Sequence, residues 1–362
     1  MIKTLNISII GLGKLGTSLY DVIRDNSNHK LSYYDIIKKY DSYEFQDLDD
    51  ATTGKDLIFI CVSTPQPEEY DGSKVIDQKE LIGFDYNYDS VDNILDNIKD
   101  TEVTVVITST ISPDKIRSIF EEYNYLNIIY NPFMFEGGNE YQSIKDQKNV
   151  IIGSFSESYK KLIDLYEEVG TIGHVNKVSP LEASLIKMLH NSYTSLRISF
   201  VNSVQRLTDI TGGDAQNILD NLKTFPLFNS PKFLNVGLPS GGPCIPRDSM
   251  VISGHDVNNG IFSNIVNERF DHVEWLTNRI IKHLKKTNKK GVSLFGLSYK
   301  VGVDNLTGSS AVLLYNSLIK RGITCLIDEE DDDSLIVLLN TNHKPKSTHY
   351  DVWKDRLIDY ND

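Results

Sequence analysis

The chain has 362 residues, of which 40% are apolar, and it carries a formal net charge of −13 at pH 7. This length predicts two or three domains, and the acidic balance argues against the basic face of a nucleic-acid-binding protein. The N-terminal residues enter a strand pattern without a signal peptide, and no apolar run approaches the ~20 residues of a membrane helix. The three cysteines are widely spaced and form neither a disulfide framework nor a zinc motif. We therefore expect a cytoplasmic protein that binds no nucleic acid, membrane or metal.

The first predicted element is a dinucleotide-binding unit. The segment LNISIIGLGKLGTSLYDVIRD is typical of a strand, a glycine turn and a helix, and Gly11, Gly13 and Gly16 complete a GxGxxG motif. These glycines permit the tight turn, the approach of a pyrophosphate to the backbone, and close packing of helix on strand. We predict cofactor contacts along the whole turn, at Gly11, Leu12, Gly13, Lys14, Leu15 and Gly16.

The acid at the end of the second predicted strand, Asp35, indicates which dinucleotide binds. It follows the glycine motif at the distance where a carboxylate accepts hydrogen bonds from the adenosine ribose hydroxyls and repels a 2′-phosphate. The pattern therefore predicts NAD rather than NADP. The alternative is a generic βαβ unit in which Asp35 is an ordinary loop acid.

Further strand patterns at residues 57–62, 103–108, 127–130 and 149–152 are separated by several helical patterns. This alternation predicts a doubly wound parallel sheet whose ligand edge lies at the carboxyl ends of the strands. Two polar turns leave that edge and place Thr64 and Thr110 close to the nicotinamide half of a dinucleotide. Each threonine alone is explained equally well as the partner of a strand-end backbone group.

A long helix is predicted from residue 180 to the Gly-Gly pair at 212–213. Ser179 is a favourable N-cap, Pro180 suits the first helical position, and Glu182 completes a capping box. Apolar residues occupy more than one face, so we expect this helix to connect the domains and to pack against a second subunit.

Two polar residues of this helix, Lys187 and Asn191, are four positions apart and so share a face. A cation beside an amide can hold a reacting hydroxyl or its oxyanion, whereas the alternative is an ordinary solvated face. His190 points about 100° away and is interpreted as structural.

The segment FLNVGLPSGGPCIPRDSM holds Cys244 between Gly-Gly-Pro and Arg-Asp. By itself it is compatible with a small buried thiol, and also with a reactive nucleophile. The neighbouring segments decide between them.

Taken together, these segments resemble the UDP-glucose/GDP-mannose dehydrogenase family nearly from end to end. The resemblance is carried by IIGLGKLG, FICVSTP, STISP, YNPF…EGG, EASLIKMLHNSY…ISFVNSV, FLNVGLPSGGPCIPRD and VSLFGLSYK. It implies two Rossmann-like domains joined by a long helix, assembly as a homodimer or larger oligomer, and oxidation of the C6 hydroxyl of a UDP- or GDP-hexose to a carboxylate with two NAD per turnover.

The resemblance also implies the roles of individual residues. Cys244 matches the family nucleophile, which forms a thiohemiacetal and then a thioester. Lys187 and Asn191 match a Lys-x-x-x-Asn pair that stabilises the C6 alkoxide and the later oxyanion. Asp248 matches an acid that organises water and Lys187. The remaining matches are Thr110 near the nicotinamide, Arg247 in place of a lysine near the cofactor, Lys300 on the sugar nucleotide, and Gly241 and Gly242 leaving room for the sugar.

The chain departs from the family pattern on the substrate side. Phe133 stands where the family has a glutamate that helps to activate the hydrolytic water, and Glu136 is the nearest substitute in sequence. In the cysteine loop, Pro239 and Ser240 replace a glycine and an aromatic residue, and Pro243 removes an N–H donor beside the nucleophile.

Two further departures concern arginines of the family. The arginine ahead of the FL pair aligns with Phe228, and the NAD-binding arginine of the last domain aligns with Thr307. These losses predict either an altered substrate or a reaction that stops at the aldehyde or the thioester.

We divide the chain into a NAD-binding Rossmann domain (1–178), a central helical dimerisation domain with the cysteine loop (179–284), and a short C-terminal nucleotide-sugar-binding domain (285–362). In the last of these, Cys325 is expected in the core of a strand and the acidic run 328–333 in a solvated loop. Two other functions stay open: a two-electron NAD dehydrogenase of a hydroxy acid or sugar, and a non-catalytic nucleotide-sugar binder.

Overall fold

The computed structural model describes residues 4–37, 43–134, 138–171, 173–228, 230, 232–256 and 260–358. They form two compact units. The first contains the described residues up to Pro65 together with Asp85–Lys187, and the second contains Gln66–Phe84 and the described chain from Met188 onward. The segment after the third strand therefore belongs to the second unit, and the three-domain division remains a prediction.

The first unit is built on a predominantly parallel sheet. Its strands are β1 (Asn6–Ile10), β2 (Lys30–Tyr34), β3 (Leu57–Ile60), β4 (Thr104–Ile107), β5 (Asn127–Tyr130), β6 (Asn149–Gly153) and β7 (His174–Val178). Its helices are α1 (Lys14–Asn26), α2 (Leu48–Thr52), α3 (Asp89–Asn97), α4 (Pro113–Glu122), α5 (Glu140–Lys145) and α6 (Tyr159–Glu168). The strand order is β2-β1-β3-β4-β5-β6-β7.

The predicted doubly wound Rossmann sheet is confirmed, with one difference. Strand β6 runs antiparallel to β5 and meets it at a single pair, Tyr130 and Gly153, before β7 continues parallel to β6. Strands β3 and β4 are buried along their whole length, as expected of central parallel strands covered on both faces. The strand after β1 in the chain, β2, lies on one side of β1, and β3 lies on the other side. The carboxyl ends of β1 and β3 therefore form the switch point where such sheets bind ligands.

The long helix α7 spans Pro180–Thr211. The predicted capping box is present: the Ser179 N–H donates to Glu182 Oε2 at 2.8 Å, and the Glu182 N–H donates to Ser179 Oγ at 3.3 Å. The helix stops before Gly212, whose φ of +83° suits a residue without Cβ. The division between the two units falls within this helix, after Lys187.

The second unit combines helices with a smaller sheet. Its elements are α8 (Ala215–Leu222), α9 (Ile245–Gly254), α10 (Ile261–Thr287), β8 (Gly291–Phe295), α11 (Ser310–Lys320), β9 (Thr324–Ile327), β10 (Ser334–Leu338), β11 (His349–Asp351) and β12 (Arg356–Ile358). The sheet order is β12-β11-β10-β8-β9, with β12 antiparallel to β11 and the other pairs parallel. This matches the predicted short Rossmann-like sheet.

Two details of this sheet differ from the sequence-based expectation. The strands β11 and β12 were not predicted, because three-residue strands carry too short a pattern. Cys325 is half-buried rather than in the core, since it lies on the edge strand β9. None of the helices in the described ranges is both long enough and apolar enough to cross a bilayer.

A buried histidine on α10, His272, joins the cysteine loop to α7. Its Nε2 lies 3.0 Å from the Gly237 carbonyl oxygen, and its Nδ1 lies 3.4 Å from the Arg206 guanidinium, which itself binds Glu268. Since arginine can only donate, Nδ1 is the acceptor and Nε2–H is the donor, so the ring is neutral. Burial lowers the pKa of His272 to about 3.

This depressed pKa predicts acid sensitivity. Between pH 6.5 and about 3 the unfolded chain binds a proton at His272 that the folded chain does not. The free energy of unfolding should therefore fall by about 1.4 kcal/mol for each pH unit in that window as the pH is lowered, and the contribution is absent above pH 6.5. The His272→Gln variant keeps a donor for Gly237 but does not titrate, so urea denaturation should show a shallower pH dependence. The exposed His174→Gln variant is the control, and equal slopes in all three proteins would contradict the assignment.

Candidate active site

The glycine turn between β1 and α1 is shaped to admit a ligand. A Cβ on Gly11, whose φ is +93°, would lie 2.8 Å from the Val62 nitrogen, and one on Gly16 would lie 1.9 Å from the Gly11 carbonyl oxygen. A Cβ on Gly13 would meet no described atom within 4 Å. Gly13 is also the N-cap of α1 and supplies no side-chain cap, so the first N–H groups of the helix border open space.

This geometry fits a dinucleotide pyrophosphate, which binds at a helix N-terminus through backbone N–H groups. Of the other residues predicted to contact the cofactor, Leu12 is fully buried in the core and Leu15 packs against it. Leu12 can therefore contribute only its backbone. Lys14 is exposed beside Gly13.

Asp35 lies at the carboxyl end of β2, where the sequence placed it. Its Oδ2 accepts the Leu12 N–H at 2.7 Å, and its Oδ1 accepts the Ile37 N–H at 2.8 Å. These bonds hold the half-buried carboxylate against the glycine turn. Each carboxylate oxygen can accept more than one hydrogen bond.

The two threonines of the polar turns lie together in the first unit. The Thr64 hydroxyl donates to the Thr110 carbonyl oxygen at 2.9 Å, and the Ser109 hydroxyl donates to the Val62 carbonyl oxygen at 2.6 Å. The turns after β3 and β4 are therefore joined directly at the edge where the switch point lies.

A polar cluster that the sequence did not reveal supports the second turn. Asp85 accepts the Tyr88 hydroxyl at 2.6 Å and the Ser112 hydroxyl at 2.6 Å, and the Tyr88 hydroxyl accepts the Ser112 N–H at 2.9 Å. Burial, followed by the charge of Asp85, raises the pKa of Tyr88 well above its ordinary value, so it stays a donor. Ser112 lies 24 residues after Tyr88, so no local motif links all three residues.

Lys187, on α7, is held by a backbone group of the first unit. Its Nζ donates to the Phe133 carbonyl oxygen at 2.8 Å. The Phe133 ring is 4% exposed and belongs to the hydrophobic core beside Tyr166. Position 133 therefore presents a carbonyl rather than a side chain to Lys187, and Glu136 lies outside the described residues.

Cys244 is exposed at the N-cap of α9 in the second unit. One turn later, Asp248 is completely buried, and its N–H donates to the Cys244 carbonyl oxygen at 3.0 Å. Asp248 Oδ2 accepts the Asn191 amide at 2.7 Å, and Arg247 Nε lies 3.4 Å from Asp248 Oδ1. The structure thus gathers four predicted site residues around the first turn of α9.

His190, interpreted from the sequence as structural, lies next to this cluster. Its Nδ1 lies 3.2 Å from Asn191 Oδ1. A second link between α9 and α7 is the Ser249 hydroxyl, which donates to Ser195 Oγ at 3.0 Å.

The cysteine loop packs on the loop that follows β8. Gly242 has a φ of +92°, and a Cβ there would lie 2.9 Å from the Tyr299 ring, so Gly242 is required by packing within the unit. Its N–H donates to the Gly308 carbonyl oxygen at 3.1 Å. Gly241 is less crowded, with Ser310 Oγ 3.5 Å from its Cβ position. Lys300 is exposed on the same loop as Tyr299 and Gly308.

The predicted site residues are divided between the two units. The first contains the dinucleotide turn (Gly11, Leu12, Gly13, Lys14, Leu15, Gly16), Asp35, Thr64, Thr110 and Lys187, and the second contains Asn191, Gly241, Gly242, Cys244, Arg247, Asp248 and Lys300. The chain combines a dinucleotide fold, a helix that carries a lysine and an amide, and an exposed thiol at the start of a later helix. This combination defines a class of NAD-linked dehydrogenases.

Comparison with known proteins identifies the family. Residues 29–170 match the NAD binding domain of the UDP-glucose/GDP-mannose dehydrogenase family, and residues 181–271 match its central domain. The chain belongs to this family, and the prediction of NAD as the cofactor is confirmed.

Individual relatives fall into two substrate types. The chain is 27% identical over 278 residues to the UDP-N-acetyl-D-mannosamine dehydrogenase of Methanococcus maripaludis, which covers 76% of this chain and 62% of that protein. It is 27% identical over 281 residues to the UDP-glucose 6-dehydrogenase of Rickettsia bellii, which covers 74% and 61%. The match thus spans about three fifths of the length of these curated relatives.

Solved structures confirm the fold over a larger part of the chain. A UDP-glucose dehydrogenase from Pyrobaculum islandicum superposes with a TM-score of 0.78 at 18% identity, covering 98% of this chain and 95% of that one. A UDP-D-ManNAc dehydrogenase from Pyrococcus horikoshii superposes with a TM-score of 0.76 at 17% identity, covering 94% and 90%.

The position of Asp35 predicts a test of cofactor choice. In Asp35→Asn the amide oxygen can still accept the Leu12 N–H, but the charge that we expect to bind ribose and to repel a 2′-phosphate is lost. The dissociation constant for NAD should rise by about tenfold, as expected when a hydrogen bond to a charged group is weakened. The ratio of the dissociation constants for NADP and NAD should become smaller. Titration calorimetry with both dinucleotides measures this. Asp25→Asn, on the exposed side of α1, is the control, and an unchanged preference in Asp35→Asn would contradict the role.

Proposed function

We propose that the protein is an NAD-dependent nucleotide-sugar 6-dehydrogenase that oxidises the C6 hydroxyl of a UDP- or GDP-hexose to the carboxylate through Cys244. The observation that supports it most is the exposed Cys244 at the start of α9, one turn from the buried Asp248–Asn191 pair, in a chain of this family. Lys187, bound to the Phe133 carbonyl, and the turn that holds Thr110 belong to the first unit and also match the family pattern.

A bound NAD would accept a hydride from C6 in the oxidation of the alcohol, and a second NAD, bound after the first NADH leaves, would accept a hydride in the oxidation of the thiohemiacetal. Lys187 and Asn191 stabilise the C6 oxygen as it loses its proton. Cys244 then adds its sulfur to the aldehyde carbon, and the resulting thiohemiacetal is oxidised to a thioester. Water cleaves the C–S bond, releasing the carboxylate and returning the thiol.

The start of α9 suits a sulfur nucleophile. The N-terminus of a helix stabilises a thiolate through its N–H groups and dipole. Pro246 supplies no N–H, so Ile245 and Arg247 carry the remaining donors of the first turn. Asp248 is turned inward to Asn191, which keeps its negative charge from standing beside the sulfur.

The hydrolytic step lacks the carboxylate that the family has at position 133. The ring of Phe133 is buried in the core, and its carbonyl is bound by Lys187, so this position offers no carboxylate to activate water. This favours a second candidate, an enzyme that accumulates the thioester or the aldehyde. The sugar itself is proposed only as a class, since relatives of the UDP-glucose and UDP-ManNAc types are equally similar.

The purified protein should be incubated with NAD and a panel of UDP- and GDP-sugars, with NADH followed by absorbance and products by mass. Complete oxidation gives two NADH per sugar and a carboxylate. One NADH per sugar together with an aldehyde or a protein-bound acyl group indicates the arrested reaction. Binding of nucleotide sugar and NAD without turnover over hours would contradict the proposal and indicate a non-catalytic binder.

Substitution of the nucleophile separates the four-electron reaction from a two-electron one. Cys244→Ala should lower carboxylate formation by roughly a thousandfold, as for other nucleophiles of covalent catalysis. Cys325→Ala, on the edge strand β9 of the same unit, should change it little. A two-electron dehydrogenase would keep nearly full activity in Cys244→Ala, and that result would exclude the thioester route.

We further propose a homodimer formed through α7. One face of this helix carries side chains at alternating spacings of four and three residues: Leu189, Tyr193, Leu196, Phe200, Ser203, Leu207 and Ile210. Tyr193 is 60% exposed, Leu207 58% and Ile210 84%. An exposed apolar stripe with this heptad spacing is the pattern by which one helix packs along another.

The dimer proposal predicts a change of mass. Light scattering should give twice the chain mass for the wild-type protein and the monomer mass for Tyr193→Asp/Leu207→Asp, because two carboxylates cannot be buried in an apolar seam. Ile319→Asp on α11, 46% exposed in the wild type and outside the stripe, should remain dimeric. A monomeric wild-type protein, or a dimeric double variant, would contradict the interface.

A further inference from the structure

A buried arginine lies behind the cysteine loop. Arg269, on α10, is 2% exposed. Its Nε donates to the Ser240 carbonyl oxygen at 2.8 Å, and its Nη2 donates to the carbonyl oxygens of Gly308 at 3.0 Å and Gly72 at 3.3 Å. One side chain therefore joins the cysteine loop, the loop that follows β8, and the segment that follows β3.

The three loops also approach one another at glycines. A Cβ on Gly308, whose φ is +67°, would lie 2.2 Å from the Gly242 carbonyl oxygen, and one on Gly72, whose φ is +86°, would lie 2.8 Å from the Gly308 Cα. The Gly308 N–H donates to the Asp71 carbonyl oxygen at 2.7 Å. Backbones this close bring carbonyl oxygens together, and these repel unless a shared donor lies between them.

The guanidinium is suited to this position because it is planar and presents several N–H donors in a fixed arrangement. The arrangement is costly, since burial lowers the pKa of Arg269 to about 9, opposed by the charge of Asp71. A lysine has the same charge, but its single ammonium cannot donate to three separated carbonyls from one rigid plane.

We propose that Arg269 is a positioning residue for Cys244. It holds Ser240, four residues before Cys244, at a fixed distance from Gly308, which lies on the same loop as Lys300. The distance between Cys244 and Lys300, the residue matched to the nucleotide sugar, is thereby kept constant. This rests on the proposed function, because the separation matters only if Cys244 attacks a bound sugar. The hydrogen bonds themselves are independent of it.

The test uses Arg269→Met and Arg269→Lys in the full chain. Arg279→Met is the matched control, since Arg279 lies on the same helix but binds Asp209 and Asp355. Three properties are measured in each variant: hydrogen exchange of peptides 70–73, 236–243 and 305–309, the rate constant of Cys244 alkylation by iodoacetamide located by mass spectrometry, and kcat and KM for NADH formation.

For Arg269→Met we expect exchange to rise by about tenfold in all three peptides together, because they lose a common bond partner. The Cys244 alkylation rate should change by about fivefold, and kcat should fall by roughly 30-fold while KM for NAD, whose turn lies in the first unit, stays within about twofold. Arg269→Lys should be intermediate, and Arg279→Met should leave all three peptides and the alkylation rate near the wild-type values.

Exchange that rises in one peptide only, an unchanged alkylation rate, or the same response in Arg279→Met would overturn the proposal. If Arg269→Met does not fold, Gly308→Ala displaces the same loops and should alter Cys244 alkylation, whereas Gly302→Ala, with φ +74° and open space at its Cβ, should not. If the wild-type protein forms no NADH with any nucleotide sugar, the proposed function fails, and exchange and alkylation still decide the role of Arg269.

Discussion

In each unit, predicted site residues lie on segments whose backbones approach one another closely, at points where a side chain cannot fit. In the first unit Gly11 lies against Val62, so the turns after β1 and β3 meet at the switch point of the sheet. In the second unit Gly308 lies against Gly242, which brings the loop after β8 against the cysteine loop. A Cβ at Gly11 or Gly308 would push the paired segments apart.

Buried or half-buried polar side chains also hold segments of each unit through backbone carbonyls. Lys187 binds the Phe133 carbonyl, Arg269 binds carbonyls from three loops, and His272 binds the Gly237 carbonyl. Such contacts are difficult to predict from a sequence, because the acceptor is a backbone carbonyl oxygen, which every residue provides. They also fix the loops more firmly than surface ion pairs do, because buried donors without partners are costly.

The regular elements and the motifs were predictable from sequence to different degrees. The strand–glycine–helix pattern at Gly11, the capping box at Ser179 and the end of α7 before Gly212 are local, and the structure has all three. The short strands β11 and β12 were missed because three-residue strands carry too short a pattern, whereas the antiparallel step at β6 and the bond from Ser112 to Asp85 join residues far apart in the chain. The placement of segment 66–84 with the second unit also has no local signal.

By itself, the sequence determined the family and the NAD-binding fold, and it predicts Cys244 as the nucleophile, because these depend on residue types at short, ordered spacings. Only the tertiary structure decided that Cys244 stands at a helix start beside a buried Asp248–Asn191 pair, that the Phe133 ring is buried in the core, and that Arg269 lies among three loops. The physical reason is that side-chain direction and burial are set by packing against distant segments, which local patterns do not encode.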